Sequence, residues 1–369
     1  MENNYKLEKI EAIAIILIVM INKLILNIPY YIVELVGSGA IINLFYIGLI
    51  DFVFLLIIIK LFKNFENSDI LDISEFLGGK KLKNLIGFLS ISLFFLVAFI
   101  TLIDFSNVLH TIYFSNFPMV YILFFFIFGT LVSNLIGFKG ISRTTCFIVP
   151  FAIISVIITF ITSFENLDIK DLTPIIGKSY KDTFILGLSN CFAMYILVLY
   201  YFLKPLLKNI QEFKKISILS FIISFILLLL TIIPMLTLFN TSSNSEPINS
   251  LFLLSRQIEL GRFLQRVDAL FIFLWIFAIF SYLSFIIFMI NRIISKLVPI
   301  SNEKMLSYST CAILFGISLI PINISHIHFI ENTLYRYLII GFVFILGMLI
   351  LTFANFKKRK LQTHHNSLK

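Results

Sequence analysis

The sequence predicts an all-α integral membrane protein of ten transmembrane helices, arranged as an inverted five-plus-five repeat with helices 1 and 6 broken. Three observations carry this. Hydrophobic residues make up 59% of the 369 residues and charged ones 13%, with a mean hydropathy of +1.00, which leaves too little polar surface to cover a soluble globule. Ten apolar stretches recur between Glu8 and Phe356, each near the roughly 20 residues that cross a hydrocarbon core at about 1.5 Å per residue. Basic residues crowd every second connection.

The spans are expected near 10–28, 41–62, 85–110, 118–136, 145–162, 183–203, 216–239, 268–291, 305–324 and 335–356. With the N-terminus in the cytoplasm, the inner segments hold 21 of the 29 basic residues, from Lys6 and Lys9 through the Lys80–Lys83 and Lys204–Lys215 groups to Lys357–Lys360. That satisfies the positive-inside rule and sets both termini in the cytoplasm. Loop topology therefore accounts for the net charge of +9. A nucleic-acid surface does not, because the basic residues are split among six inner segments and form no continuous patch laced with aromatics.

Span one follows Lys6 and Lys9 as the apolar part of a signal peptide would, yet no small-residue cleavage site ends it, so it is a retained helix. It carries Asn22-Lys23 and then Asn27-Ile28-Pro29. Span six carries Gly187-Leu188-Ser189-Asn190. Glycine and short polar side chains weaken helix continuity at both places. Five helices per half is an odd number, so the second half enters the membrane upside down, and the matched breaks fall where an inverted-repeat transporter exposes backbone groups to its substrate. The whole chain, 1–369, reads as one membrane domain, with repeat one at about 8–162 and repeat two at about 183–356.

Three connections are long: 63–84 inside, 163–182 and 240–267 outside. In the last, Leu251, Leu254, Ile258, Phe263 and Val267 recur at helical spacing while Arg256, Glu259, Arg262 and Arg266 point elsewhere, which predicts an outer amphipathic helix over about 248–266. Cys146, Cys191 and Cys311 lie inside spans without metal or disulfide spacing and read as apolar packing residues.

Charges within the bilayer are the sharper clue, because each costs at least about 2.5–3.5 kcal/mol unless paired or hydrated. Lys23, Asp51 and Asp104 are the candidates. Lys23 and Asp104 differ in depth by only about 5 Å when counted from the span centres. Asp104, Asn107 and Thr111 share a stripe about 60° wide on span three, with Thr101 at its edge. Such a stripe either faces a water-filled pocket, in which a zwitterion sets its ammonium on Asp104 and its carboxylate on Lys23, or marks a structural pair of Lys23 with Asp104 or with Asp51. His110 is a solvated helix end. His326 and His328 lie two apart, and no third metal ligand is spaced to join them. No nucleophile–base set, phosphate loop or metal-ligand cluster is legible, so neither an enzyme nor a cofactor is expected.

The stretch Ser255-Arg-Gln-Ile-Glu-Leu-Gly-Arg-Phe-Leu-Gln-Arg-Val-Asp-Ala-Leu-Phe-Ile-Phe-Leu-Trp275 resembles the corresponding region of spore germination receptor B subunits of the GerAB type, where a loop helix ending in an Arg-hydrophobic-acidic pair leads into a span with a Trp. Asp171-Leu172-Thr173-Pro174, the Gly-rich entry to span six, Lys204-Pro205 and Asn27-Ile28-Pro29 extend the resemblance over nearly the whole chain. It implies the amino acid–polyamine–organocation transporter superfamily and its inverted repeat. It further implies a nutrient sensor of the spore inner membrane that works with A and C subunits and binds its ligand among helices 1, 3, 6 and 8. By position, the resemblance points to Asn22, Lys23, Asp104, Asn107, Asn190, Tyr195 and Trp275 for the ligand. This chain departs from the family where Asn22 and a charged Lys23 stand at a break that often holds glycine.

Two functions are therefore expected to compete. One is a germinant receptor subunit for a small nutrient, an amino acid by its chemistry, docked to its partners through Arg256, Glu259, Arg262 and Arg266. The other is a secondary amino acid transporter working by alternating access.

Overall fold

The computed structural model describes residues 5–163, 173–241, 268–298 and 303–367, and all regular structure among them is helical. The first span is cut in two, α1 (Lys9–Ile25) and α2 (Ile28–Val36), and a turn at Gly37–Gly39 leads into α3 (Ala40–Phe62). Then follow α4 (Ile70–Ile112), α5 (Met119–Ile136), α6 (Phe138–Ser163), α7 (Lys181–Leu206), α8 (Ile210–Thr241), α9 (Asp268–Leu297), α10 (Glu303–Ser318) and α11 (Ile324–Thr363). The chain is an integral membrane protein. Leu49 is 69% exposed and Phe147 70%, and such apolar side chains on the outside of the bundle suit lipid, not water. Residues of the amphipathic helix expected over 248–266 lie outside the described residues.

Ten spans are expected, and eight helical stretches among the described residues are long and apolar enough to cross, with α2 and α3 counted as one. The two that fall short are α1, 17 residues long because it stops at Ile25, and α10, 16 residues long. Pro321 follows α10 closely and blocks its extension to the expected residue 324. Two other boundaries differ in the opposite sense. α4 begins at Ile70, inside what the sequence suggests is a connection, because the Asp69 carboxylate accepts the N–H groups of Leu71 and Asp72 (3.1 and 3.2 Å) and Asp72 accepts the Asp69 N–H (3.0 Å). That reciprocal cap starts a helix 15 residues early, and Gly79, at φ +70°, lets it kink before entering the bilayer. α11 likewise begins well before residue 335, at Ile324, where the Asn323 side chain accepts the Ser325 N–H (3.1 Å).

One end of the bundle gathers the termini. Lys6 donates to the Pro205 carbonyl (2.6 Å), the Leu7 N–H to the Leu206 carbonyl (2.8 Å), and Lys357 to the carbonyls of Phe76 and Leu77. Lys296 bridges Asp69 and Asp72 (2.6 and 2.8 Å) nearby. At the far end, Ser38 donates to the Pro174 carbonyl (2.7 Å) and Lys178 to that of Glu34 (2.7 Å), which ties the segment before α7 to the α2–α3 turn. Gly177 is held there at φ +76° against the Val36 carbonyl and the Gly39 N–H, a space that no side chain would share. Between the ends, the broken first span is the centre of the packing, with α1 set against α6, α8 and α9.

The helix at the expected second break is distorted, not cut. α7 is wound loosely over Lys181–Ile185 and tightly over Leu186–Met194 before it becomes regular at Leu197. The cause is a side chain from α3. Asn43 donates to the carbonyls of Thr183 (2.8 Å) and Gly187 (3.1 Å) and accepts from Asn190 (2.7 Å), taking acceptors that the α7 ladder would use. Gly187 has no Cβ to obstruct it. Asn43→Leu would leave buried backbone acceptors without partners at about 1–3 kcal/mol each. A lower unfolding midpoint in detergent is the expected result, and an unchanged midpoint would exclude this account.

Candidate functional site

Helix α1 ends where the chain can no longer satisfy its own ladder. The Leu26 N–H reaches the Asn22 carbonyl (3.2 Å), then Leu26 leaves helical geometry at ψ −114°, and Pro29, which has no N–H to lose, stands in the first turn of α2. The interruption turns Asn27 inward. Its Nδ2 donates to Asp104 Oδ2 of α4 (2.6 Å) and to Glu331 Oε2 of α11 (3.0 Å), so one amide joins three helices.

Lys23, one turn before the break, is fully buried and donates to Glu331 Oε1 (2.5 Å). Its ammonium also lies 5.0 Å from the centre of the Tyr335 ring. This corrects the expected pairing of Lys23 with Asp104 or Asp51. Asp104 is 3% exposed and close by, but its oxygens face Asn27 and, at 3.9 Å, His328. Asp51 is buried on α3 beside the Cys191 thiol of α7, in a different seam.

Tyr31 of α2 closes the cluster at the far end. Its hydroxyl donates to Glu331 Oε2 (3.2 Å) and stands 3.3 Å from His328 Nδ1. Tyr195 of α7 donates to the Val19 carbonyl and stacks its ring edge at 6.4 Å from Tyr335. Asn22 accepts from Thr101 (3.4 Å). Within this crowd the Asn22 Nδ2, the Asn27 Oδ1 and the Tyr335 hydroxyl are buried and make no hydrogen bond. Unsatisfied polar atoms are rare in protein interiors, and several around one helix break mark a place where a polar ligand gains partners.

Of the seven residues expected at the ligand, Asn22, Lys23, Asp104 and Tyr195 therefore meet at the break, and Asn107 is half-buried one turn beyond Asp104 on α4. Asn190 and Trp275 are directed elsewhere. Asn190 is engaged with Asn43 of α3, and Trp275, 2% exposed, packs on Phe271 and donates to Ser155 of α6 (3.4 Å). Arg256, Glu259, Arg262 and Arg266 lie outside the described residues.

Glu331, His328 and Tyr31 were not expected here. The sequence does suggest that His328 lacks a third metal ligand, and folding supplies two, since Asp104, His328 and Glu331 offer ligand atoms within 4.8 Å of one another. His326, by contrast, is exposed and does not join. The position a metal ion would take is contested by the Lys23 ammonium, which already neutralises Glu331, and by the Asn27 amide on Asp104. The cluster carries its own cation.

The sequence matches the family described as spore germination protein over residues 6–327. No curated protein matches it. Among solved structures, MhsT in complex with L-phenylalanine superposes with a TM-score of 0.67 at 14% identity, over 95% of this chain and 96% of that one. Two mutant forms of the manganese transporter of Eremococcus coleocola superpose with a TM-score of 0.53 at 12% identity, over 95% of this chain and 79% of theirs. At such identities the likeness is one of fold.

A buried charge left without its partner costs roughly 3–5 kcal/mol, whereas replacing both members with neutral groups is often tolerated. Lys23→Met and Glu331→Gln should each lower the unfolding midpoint strongly, and the double variant should recover most of the loss. Additive effects in the double variant would show that the two side chains do not depend on each other.

Proposed function

The chain belongs to the spore germination protein family, and from that membership we propose that it is the B subunit of a nutrient-germinant receptor. It binds a small nutrient, an amino acid by the chemistry of the site, in the spore inner membrane and signals through A and C subunits. What supports this above all is the Lys23–Glu331 ion pair at a helix break, with Asp104 and Asn27 beside it.

A zwitterion entering this cluster exchanges one ion pair for two. Its carboxylate takes the Lys23 ammonium and its own ammonium takes Glu331 or Asp104, so each end of the ligand meets an opposite charge in a low-dielectric interior. Asn22, Asn107 and Tyr195 supply further polar contacts near the backbone ends of α1. Asn190 and Trp275 act at a distance, through the seams they hold with α3 and α6. Because Lys23 sits on α1 and Glu331 on α11, the exchange loosens one helix contact and remakes it through the ligand. The difference in affinity between the two arrangements is the free energy that a partner subunit reads.

The family and the charge distribution support the remaining features. The 21 basic residues on alternate connections favour cytoplasmic termini, which makes the far end the face that meets nutrient. The two halves, about 8–162 and 183–356, form the inverted repeats. The segment 248–266, with Arg256, Glu259, Arg262 and Arg266, docks on the partner subunits.

A second reading is a secondary amino acid transporter, favoured by the fold shared with MhsT, whose solved form holds L-phenylalanine. Spores lacking this chain separate the two. Loss of dipicolinate release in response to a subset of amino acids is expected for the receptor. A full response with reduced amino acid uptake in growing cells would mean transport instead.

Within the receptor reading, Asp104→Asn keeps the Asn27 neighbour but removes a carboxylate that can meet an ammonium group. Spores carrying it at normal abundance should need more than tenfold higher nutrient concentration to germinate. An unchanged dose response in both Asp104→Asn and the Lys23→Met, Glu331→Gln double variant would rule out the cluster as the ligand site.

A further inference from the structure

Beyond the Lys23 cluster, at the far end, lies a polar vestibule of about 360 Å³ bordered by Tyr31, Glu34, Lys178, Asp182, Asn332 and Arg336. Its volume falls in the roughly 300–1,000 Å³ range of small-molecule sites. The walls are largely fixed by bonds already made. Lys178 is spent on the Glu34 carbonyl (2.7 Å), and Asp182 accepts from Ser179 (2.7 Å). Two groups are not.

Arg336 is the first. It is 5% exposed, its Nη1 donates to Ser189 of α7 (3.2 Å), and its guanidinium carbon lies 4.6 Å from the centre of the Phe192 ring. Those contacts fix the plane and one corner of the group. The Nε and Nη2 atoms are buried and make no hydrogen bond. They form the edge whose two parallel N–H bonds match a carboxylate bidentately. Glu34, which borders the same vestibule, lies in the field of Arg336 without bonding to it among the described residues. The second group is Asn332, whose Nδ2 donates to Glu34 Oε2 (3.4 Å) while its buried Oδ1 makes no hydrogen bond.

We propose that this vestibule is a second ligand site, which takes the zwitterion of a free amino acid with its carboxylate in the Nε–H and Nη2–H fork of Arg336 and its ammonium on Glu34 and Asn332 Oδ1. A buried cation with two unused N–H groups and two acceptors bordering the same cavity form a donor-acceptor set complementary to that ligand. The choice of ligand rests on the nutrient-binding function proposed above, whereas the site does not use Lys23, Asp104 or Glu331. The two sites share one residue. Tyr31 borders the vestibule and donates to Glu331 beneath it, so an occupant of the outer site rests on a side chain bonded to the inner ion pair.

The test is equilibrium dialysis of the full chain in lipid nanodiscs against each of the twenty radiolabelled amino acids and the corresponding C-terminal amides. At least one amino acid should bind, its amide more than tenfold more weakly. Arg336→Gln should weaken binding of that amino acid more than tenfold, and Arg336→Lys should not restore it, because a single ammonium cannot present the fork. Wild-type affinity in Arg336→Gln, equal binding of acid and amide, or no amino acid binding to the wild type would each overturn the proposal. The acid-amide comparison needs no substitution, but the Lys23 ammonium of the inner cluster also favours the acid, so the preference is assigned to the vestibule only where Arg336→Gln, folded with an unchanged unfolding midpoint, abolishes it and Asp104→Asn does not. Asp104→Asn, measured alongside, separates the two sites. Loss there with full binding by Arg336→Gln refutes the vestibule and leaves the inner cluster standing, and the converse supports the vestibule without the inner cluster.

Discussion

Hydrocarbon offers no hydrogen bonds, and a helix interrupted within it must find partners for every backbone group it frees. Much of this structure follows from that constraint. Where α1 stops, Asn27 enters the gap and joins Asp104 to Glu331. Where α7 is distorted, Asn43 of α3 takes the carbonyls of Thr183 and Gly187. In both places an asparagine from or beside a helix draws a neighbouring helix in, Asn43 by taking freed backbone carbonyls and Asn27 by bonding the carboxylates of Asp104 and Glu331.

The two irregularities differ in consequence. At α7 the replacement is neutral, a structural repair between α3 and α7 that leaves only the Asn190 Oδ1 of the cluster without a partner among the described residues. At α1 it is charged and incomplete. Lys23, Glu331 and Asp104 are assembled there together with donors and acceptors that find no partner among the described residues. A repaired break holds a fold, while a break left partly unrepaired in the company of buried charge has the properties of a binding site.

The helices and the buried charges were legible in the sequence, but the pairing of those charges was not. Asn27-Ile28-Pro29 announces the break because proline and a short polar side chain act locally. Lys23 and Asp104 stand out because any charge in an apolar run is costly. Glu331 was hidden for the same reason: with His326, His328 and Arg336 it lowers the local hydropathy, so α11 seems to start at residue 335 and its first turns read as a loop. The partner of Lys23 depends on how α11 is rotated against α1, which no local pattern records. Asn190 and Trp275 lie on the helices expected at the ligand, yet their rotation sends one to Asn43 and the other to Ser155. Family position identifies a helix more readily than the direction a side chain takes from it.

Lys23 has one consequence for energetics. It is a cation anchored to the polypeptide at the place where a dissolved metal or alkali ion would otherwise have to enter. A ligand that exchanges with Glu331 for this ammonium needs no dissolved cation at that position to balance its carboxylate. Charge balance at this position is then kept by the polypeptide and the ligand alone.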